Sequence, residues 1–210
     1  MQKPFILIAC LIVFGYCHVA ARAQEEQSGM IKSKDGILVV WNEPGNYFTI
    51  EIKGKEIKPM QQPMMFKVDG KFFQIQTAAK KLFLKNPDDK TLDDKAVLSA
   101  HRDWERDYIA DVLKRELKVE SEWLKLPAGK DVLAWSYEMP KVADAQTARK
   151  QFYLAVVKRD HVLLLNSALT ADDNEKEIKE LLMRTLLTLK PTDKPLSLQK
   201  ASEQIKASNE

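Results

Sequence analysis

Hydrophobic and polar positions along this chain change period several times, and each change marks an element. Ile37-Leu38-Val39-Val40-Trp41 is a continuous apolar run. Glu43-Pro44-Gly45-Asn46 then carries the residues that turn a chain. Tyr47 to Ile52 alternates, with Phe48, Ile50 and Ile52 on one side, as a strand with one buried face requires. A short strand is expected around Glu56-Ile57-Lys58. The sharpest local signal is Asp69-Gly70 between two apolar-rich runs, because a two-residue hairpin loop needs positive φ at both central positions. That loop pairs Val68 with Lys71, Phe66 with Phe73 and Met64 with Ile75. It places Met64, Phe66, Val68, Phe73 and Ile75 on one face.

A 3.6-residue period follows. Val97, His101, Trp104, Tyr108 and Val112, with Leu98, Ile109 and Leu113 beside them, predict a helix over 92–116. Thr91 and Asp94 resemble a capping box at its start. Alternation returns in 118–126 and 132–139, where Leu133, Trp135, Tyr137 and Met139 share a face; 141–150 reads as a polar loop. The runs 152–157 and 162–165 are apolar on both faces, so both sides of their sheet must be covered. A second helix is expected over 174–189, its buried stripe being Ile178, Leu181, Leu182, Thr185, Leu186 and Leu189, with Pro191 ending it. Strands joined mainly by hairpins, with two amphipathic helices to cover them, predict an α+β fold. Its core is an antiparallel sheet of about seven strands with helices on both faces, an α/β/α sandwich.

The ends of the chain read differently. Lys3 precedes an uncharged run, Phe5 to Tyr16, and Ala21-Arg22-Ala23 places small residues where signal peptidase inspects the chain. The apolar run falls short of the roughly 20 residues that span a bilayer. Residues 1–23 therefore read as a cleavable secretory signal with Ala21 and Ala23 as its recognition residues. Next come a flexible segment over 24–36, one domain over 37–191 and a polar tail over 192–210. The expected location is periplasmic or secreted, with no stable membrane insertion once the signal is removed.

Both cysteines, Cys10 and Cys17, leave with that signal, so the mature chain has neither disulfide nor thiolate. The whole chain carries 33 basic and 30 acidic residues, and Lys3 and Arg22 also leave. Near-neutral charge gives no reason to expect a nucleic acid partner.

Chemistry is sparse. His101 lies on the apolar stripe with Glu105 one turn on, but two ligands do not make a metal site, and a packed histidine is the simpler reading. His161 is expected solvated at a hairpin tip. No G-x-S-x-G or phosphate-binding glycine loop occurs among the seven glycines. Asp88, Asp89, Asp93 and Asp94 lack the spacing of an EF-hand loop and suit a helix start. The sequence thus assigns no catalytic, cofactor-binding or metal-ligating residue. Of four tryptophans, Trp104 and Trp135 fall on core faces, while Trp123, on a more polar strand, is the candidate for a contact surface.

The order of elements, closing on Ile178 to Pro191 with Leu186-Leu187-Thr188-Leu189-Lys190-Pro191, resembles the PsbP-like (Mog/PsbP) fold superfamily, which includes exported bacterial members of unknown function. The resemblance spans about 37–191. In place of the group's Pro-x-x-Trp after an early strand, this chain has Pro44-Gly45-Asn46-Tyr47. The resemblance implies a non-catalytic accessory module that docks another exported or envelope protein. Two other classes stay open. One is a carrier of a small apolar ligand lined by Met60, Met64, Met65, Phe66 and Phe72; the other is a hydrolase with a dispersed site.

Overall fold

In the computed structural model, residues 28–127, 129–140 and 148–208 are described. The expected signal, with Ala21 and Ala23, lies outside them, as does 141–147 of the expected polar loop.

The two runs that are apolar on both faces form the centre of the molecule. Strand β9 (Lys150–Lys158) and β10 (His161–Leu169) pair antiparallel from His161 opposite Lys158 to Leu169 opposite Lys150. Around them the large sheet is completed by β4 (Ile57–Pro59), β5 (Met65–Val68), β6 (Lys71–Ala79), β7 (Val119–Lys125) and β8 (Asp131–Glu138). The order is β4-β5-β6-β10-β9-β8-β7, antiparallel throughout. The Asp-Gly hairpin has the register its sequence predicts: Val68 opposite Lys71, Phe66 opposite Phe73. Asp69 and Gly70 sit at φ 48° and 86°. Met64 also takes positive φ, 55°, so the regular ladder stops at Met65, although the Ile75 N–H still reaches the Met64 carbonyl at 3.0 Å.

Here the architecture departs from a single sheet. Strands β2 (Gly36–Glu43) and β3 (Asn46–Lys53) form a second, four-stranded sheet with β1 (Gly29–Lys32) and the two-residue β11 (Lys190–Pro191), in the order β1-β2-β3-β11. Alternation shows that Phe48, Ile50 and Ile52 are buried together, but not whether they join a sheet edge or lie on a sheet face. They lie on the face, in one core with Phe66, Phe73, Leu163 and Leu165 of the large sheet. The flexible segment expected over 24–36 is corrected in its second half: Gly29–Lys32 pairs with Ile37–Val40. This pairing rests on backbone hydrogen bonds, which side-chain polarity does not report.

The tail expected over 192–210 is likewise ordered in part. Helix α3 (Leu198–Ser208) packs on β1, with Ala201 buried and Leu198 against Gly29. Asn42 clasps the approach to it, its Nδ2 donating to the Leu196 carbonyl at 2.9 Å and its Oδ1 accepting from the Leu196 N–H at 3.0 Å. Asn42→Ala removes both bonds, and a loss of about 1–2 kcal/mol in urea unfolding is the expected result.

Helix α1 (Asp94–Leu113) covers one face of the large sheet over β8 and β9, while α2 (Glu175–Leu186) and the small sheet share the other. Helix α2 buries Ile178, Leu181, Leu182, Thr185 and Leu186, as its period predicts. Helix α1 is rotated from expectation. Val97, Leu98, His101, Glu105 and Ile109 face the sheet, whereas Trp104 is half-buried and Tyr108 and Val112 are 40% and 53% exposed. Its cap is Asp93, which accepts from the Ala96 N–H at 2.8 Å; Thr91 bonds to Asp89 instead. Asp93 and Thr91 are both good caps, and only the path of the incoming chain selects one.

Candidate site: a groove beside the second helix

The face of the large sheet carrying α2 is not covered to its edge. Helix α2 lies over β9 and β10, and among the described residues no helix packs over β7 and β8 on that side. Alternation decides what is left open. Glu120, Glu122 and Leu124 of β7, Ala134 and Ser136 of β8, and Phe152 and Leu154 of β9 point to this face. Ala134 is the smallest of them, so a hollow forms where a larger residue would fill the space.

The result is a groove of about 710 Å³ with Leu124, Ala134 and Leu154 as floor and Met183 on its α2 wall. Lys176, Lys179 and Glu180 form the rim on the helix side, Glu122 on the strand side. It continues into a smaller pocket of about 240 Å³ that shares Glu122, Ala134, Leu154 and Lys179. Beyond that end stands Lys150. Its ammonium donates to Glu120 at 2.6 Å, with Glu138 and Glu175 at 3.8 and 3.9 Å, and lies 5.3 Å from the Phe152 ring. The Glu120 hydrogen bond, helped by the charges of Glu175 and Glu138, holds the Lys150 amine above its usual range, so this cation stays charged and tethered. The groove is thus an apolar trough with a mixed, net acidic margin. Such a trough suits an aliphatic or aliphatic-stemmed side chain.

No protein-family model matches the chain, and no curated protein matches it. The fold is similar to that in the solution structure of cyanobacterial PsbP (CyanoP) from Synechocystis sp. PCC 6803. The likeness covers 85% of this chain and 99% of that one, at 12% identity and a TM-score of 0.42.

The residues singled out by sequence are scattered rather than gathered. Trp123 is 39% exposed, but it stands on the α1 side of β7, opposite the groove, with the Lys95 ammonium 5.4 Å from its ring. Trp135 is core, stacked on Tyr153 at 4.0 Å. His101 is 1% exposed, both ring nitrogens lack a partner, and Phe83 meets it edge-on at 5.0 Å. Burial lowers its pKa to about 4, and burial raises that of Glu105 to about 7. Among the described residues no group of three potential ligands gathers around a metal position.

His161 is not the solvated tip residue that its sequence position implies. The β2–β3 turn lies over it, its side chain is 12% exposed, and Glu43 Oε1 is 3.9 Å from its Nε2. Burial lowers its pKa against the opposing pull of Glu43. Burial alone would raise the Glu43 carboxyl. Hydrogen bonds from Asn46, Trp41 and Thr77, together with the His161 charge, bring it below the usual range instead. The expected ligand pocket at the methionines is also corrected. Phe66 is fully buried and packs on Phe73 at 6.3 Å, and Met64 packs onto the same core. Met65 and Phe72 lie on the other face of that hairpin, so these five residues do not converge on a shared space. The groove itself was missed because its residues look unremarkable singly. The available signal was Ala134 between Leu133 and Trp135, a small residue on the less apolar face of a covered strand.

Proposed function

We propose that this protein is an exported, non-catalytic accessory module that binds a partner polypeptide in the groove between α2 and β7. The observation that carries this reading is an open trough with an apolar floor at a corner of the large sheet's α2 face that, among the described residues, no helix covers. Leu124, Ala134 and Met183 are only half-buried, and apolar ground left part-open in this way suits a surface that something else covers. The groups whose proton affinities are most displaced, His101 and Glu105, are sealed between α1 and the sheet, on the opposite side from the groove. Lys158, also displaced, is buried behind Asn46 and Phe48. A site that transfers protons needs such groups at its opening, and here they face inward.

Export is read from the leader over 1–23, and the partner is accordingly another exported or envelope protein. Among the described residues no helix is long and apolar enough to cross a membrane. Glu122, Glu180 and Glu175 at the margin disfavour a polyanion such as nucleic acid.

Native mass spectrometry of the protein isolated from its own source tests this. A bound polypeptide is the expected result, lost in Ala134→Arg, which fills the groove floor, while the melting temperature stays within a few degrees of wild type. A chain carrying only a small molecule, or carrying nothing, overturns the reading.

A further inference from the structure

The large sheet ends in two strands that are not equivalent as edges. Strand β4 has three residues and ends on Pro59, which has no N–H to offer; short length and proline are how a sheet blunts an edge. Strand β7 is different. Its seven residues, Val119 to Lys125, pair with β8 in unbroken register, with no proline and no bulge. Among the described residues nothing hydrogen-bonds to the outer side of its backbone. Glu120, Ser121, Glu122 and Trp123 are four consecutive exposed positions along it.

Resting on the groove reading above, we propose that the partner joins the large sheet as an additional strand along β7. From that strand it sends a lysine or arginine side chain into the groove. The edge supplies unpaired backbone groups, and strand addition turns them into affinity. Charge selects the occupant. A second copy of the chain pairing in the centred antiparallel register would set Glu122 directly against Glu122, and like charges so placed repel. Glu122 makes no ion pair among the described residues, so a basic residue across from it gains an interaction that the free protein lacks. A long basic side chain at that position runs its stem over Leu124 and Ala134 and leaves its cation between Glu122 and Glu180. This is the division of apolar stem and charged head that the trough fits. The alternate residues of the added strand meet Trp123 on the other face, where an aromatic or β-branched side chain packs. The recognised segment is therefore extended and alternates basic with β-branched or aromatic residues.

Three synthetic peptides of about eight residues test this against the full chain: one alternating lysine with valine, one alternating glutamate with valine, and the lysine peptide with alternate amides N-methylated. The lysine peptide is expected to bind and to slow amide exchange within 119–125. N-methylation should abolish binding, and E122K should weaken it by roughly five- to tenfold while gaining affinity for the glutamate peptide. Failure of the lysine peptide to bind overturns the proposal. So does binding that survives N-methylation or shifts only Lys176, Lys179 and Met183, although the groove would then still be a docking site. A dimer in sedimentation whose exchange protection maps to β7 overturns it in favour of self-pairing. Loss of binding in Ala134→Arg with retention of β7 protection by excess peptide separates failure of the groove from failure of the strand.

Discussion

Glu105→Gln stabilises the domain by about 3 kcal/mol at pH 8 and leaves it nearly unchanged at pH 4. Glu105 sits in the inner row of α1, 5% exposed, and burial raises its pKa from 4.5 to about 7. The unfolded chain releases this proton above about pH 4.5, whereas the folded chain holds it to about 7. Stability is therefore drawn down as pH rises across that window and is level beyond it. His101, one turn earlier, works in the opposite direction. Burial lowers its pKa from 6.5 to about 4, so stability is lost as pH falls from 6.5 towards 4. Between pH 4.5 and 6.5 the slopes of Glu105 and His101 cancel each other, and His161, whose pKa burial also lowers, leaves the wild type a shallow rise with pH there. Glutamine removes one slope and exposes the other, giving a profile that climbs from pH 4 to 6.5 and then levels. Urea midpoints at pH 4, 5.5 and 8 decide it; identical midpoints at pH 8 would refute a buried, unpartnered Glu105.

Asn46→Ala costs about 2–3 kcal/mol at pH 6, and the loss is largely recovered when Lys158→Met is added. Lys158 is 3% exposed, and its ammonium donates to Asn46 Oδ1 at 2.9 Å while lying 5.1 Å from the Phe48 ring. This bond joins the start of β3 in the small sheet to the end of β9 in the large one. Burial lowers the Lys158 pKa from 10.5 to about 8. The cost of holding the charge is present below pH 8 and is relieved as pH rises from 8 towards 10.5. Without the amide acceptor the buried cation has no hydrogen-bond partner. The single variant should thus be weakest near neutrality and recover in alkali. A double-mutant cycle in urea checks the pair. Equal losses in Asn46→Ala and the double variant would place the effect in the Asn46–Glu43 bond instead.

Several elements were legible because one physical rule fixed each. Asp69-Gly70 admits few backbones other than a tight hairpin loop, and with the loop set, the pairing of Phe66 with Phe73 follows by counting. The double-sided apolar runs at 152–157 and 162–165 required a central position, and β9 and β10 occupy it. The stripe of α2 holds from Ile178 to Leu186, but the helix ends there, so Leu189, expected on the stripe, lies beyond it and is only partly buried. The failures have a common cause in the other direction. Residues 29–32 and 198–208 are too polar to demand burial, and what orders them is a backbone ladder, one small contact at Ala201 and the Asn42 clasp. Hydrophobicity alone places Tyr108 and Val112 on the stripe of α1, because it does not tell that the sheet meets the row carrying His101 and Glu105.

The candidate site was illegible for a deeper reason: it is a place where something is missing. A motif search looks for residues that do chemistry, whereas the groove exists because α2 stops short of β7 and Ala134 is small. Trp123, the one contact residue the sequence offered, is on the edge strand that borders the groove but on its opposite face.

By itself, the sequence determined the elements of the core: where strands alternate, where helices are amphipathic, which hairpin is tight and which strands lie inside. These follow from backbone sterics and the burial of apolar side chains, which act within a few residues along the chain. Only the tertiary structure decided that β2 and β3 lie on the face of the large sheet, that His101 and Glu105 are shut in together, and that β7 is left open. Each of those depends on which surfaces meet, and that is settled by the packing of the whole core rather than by any segment of it.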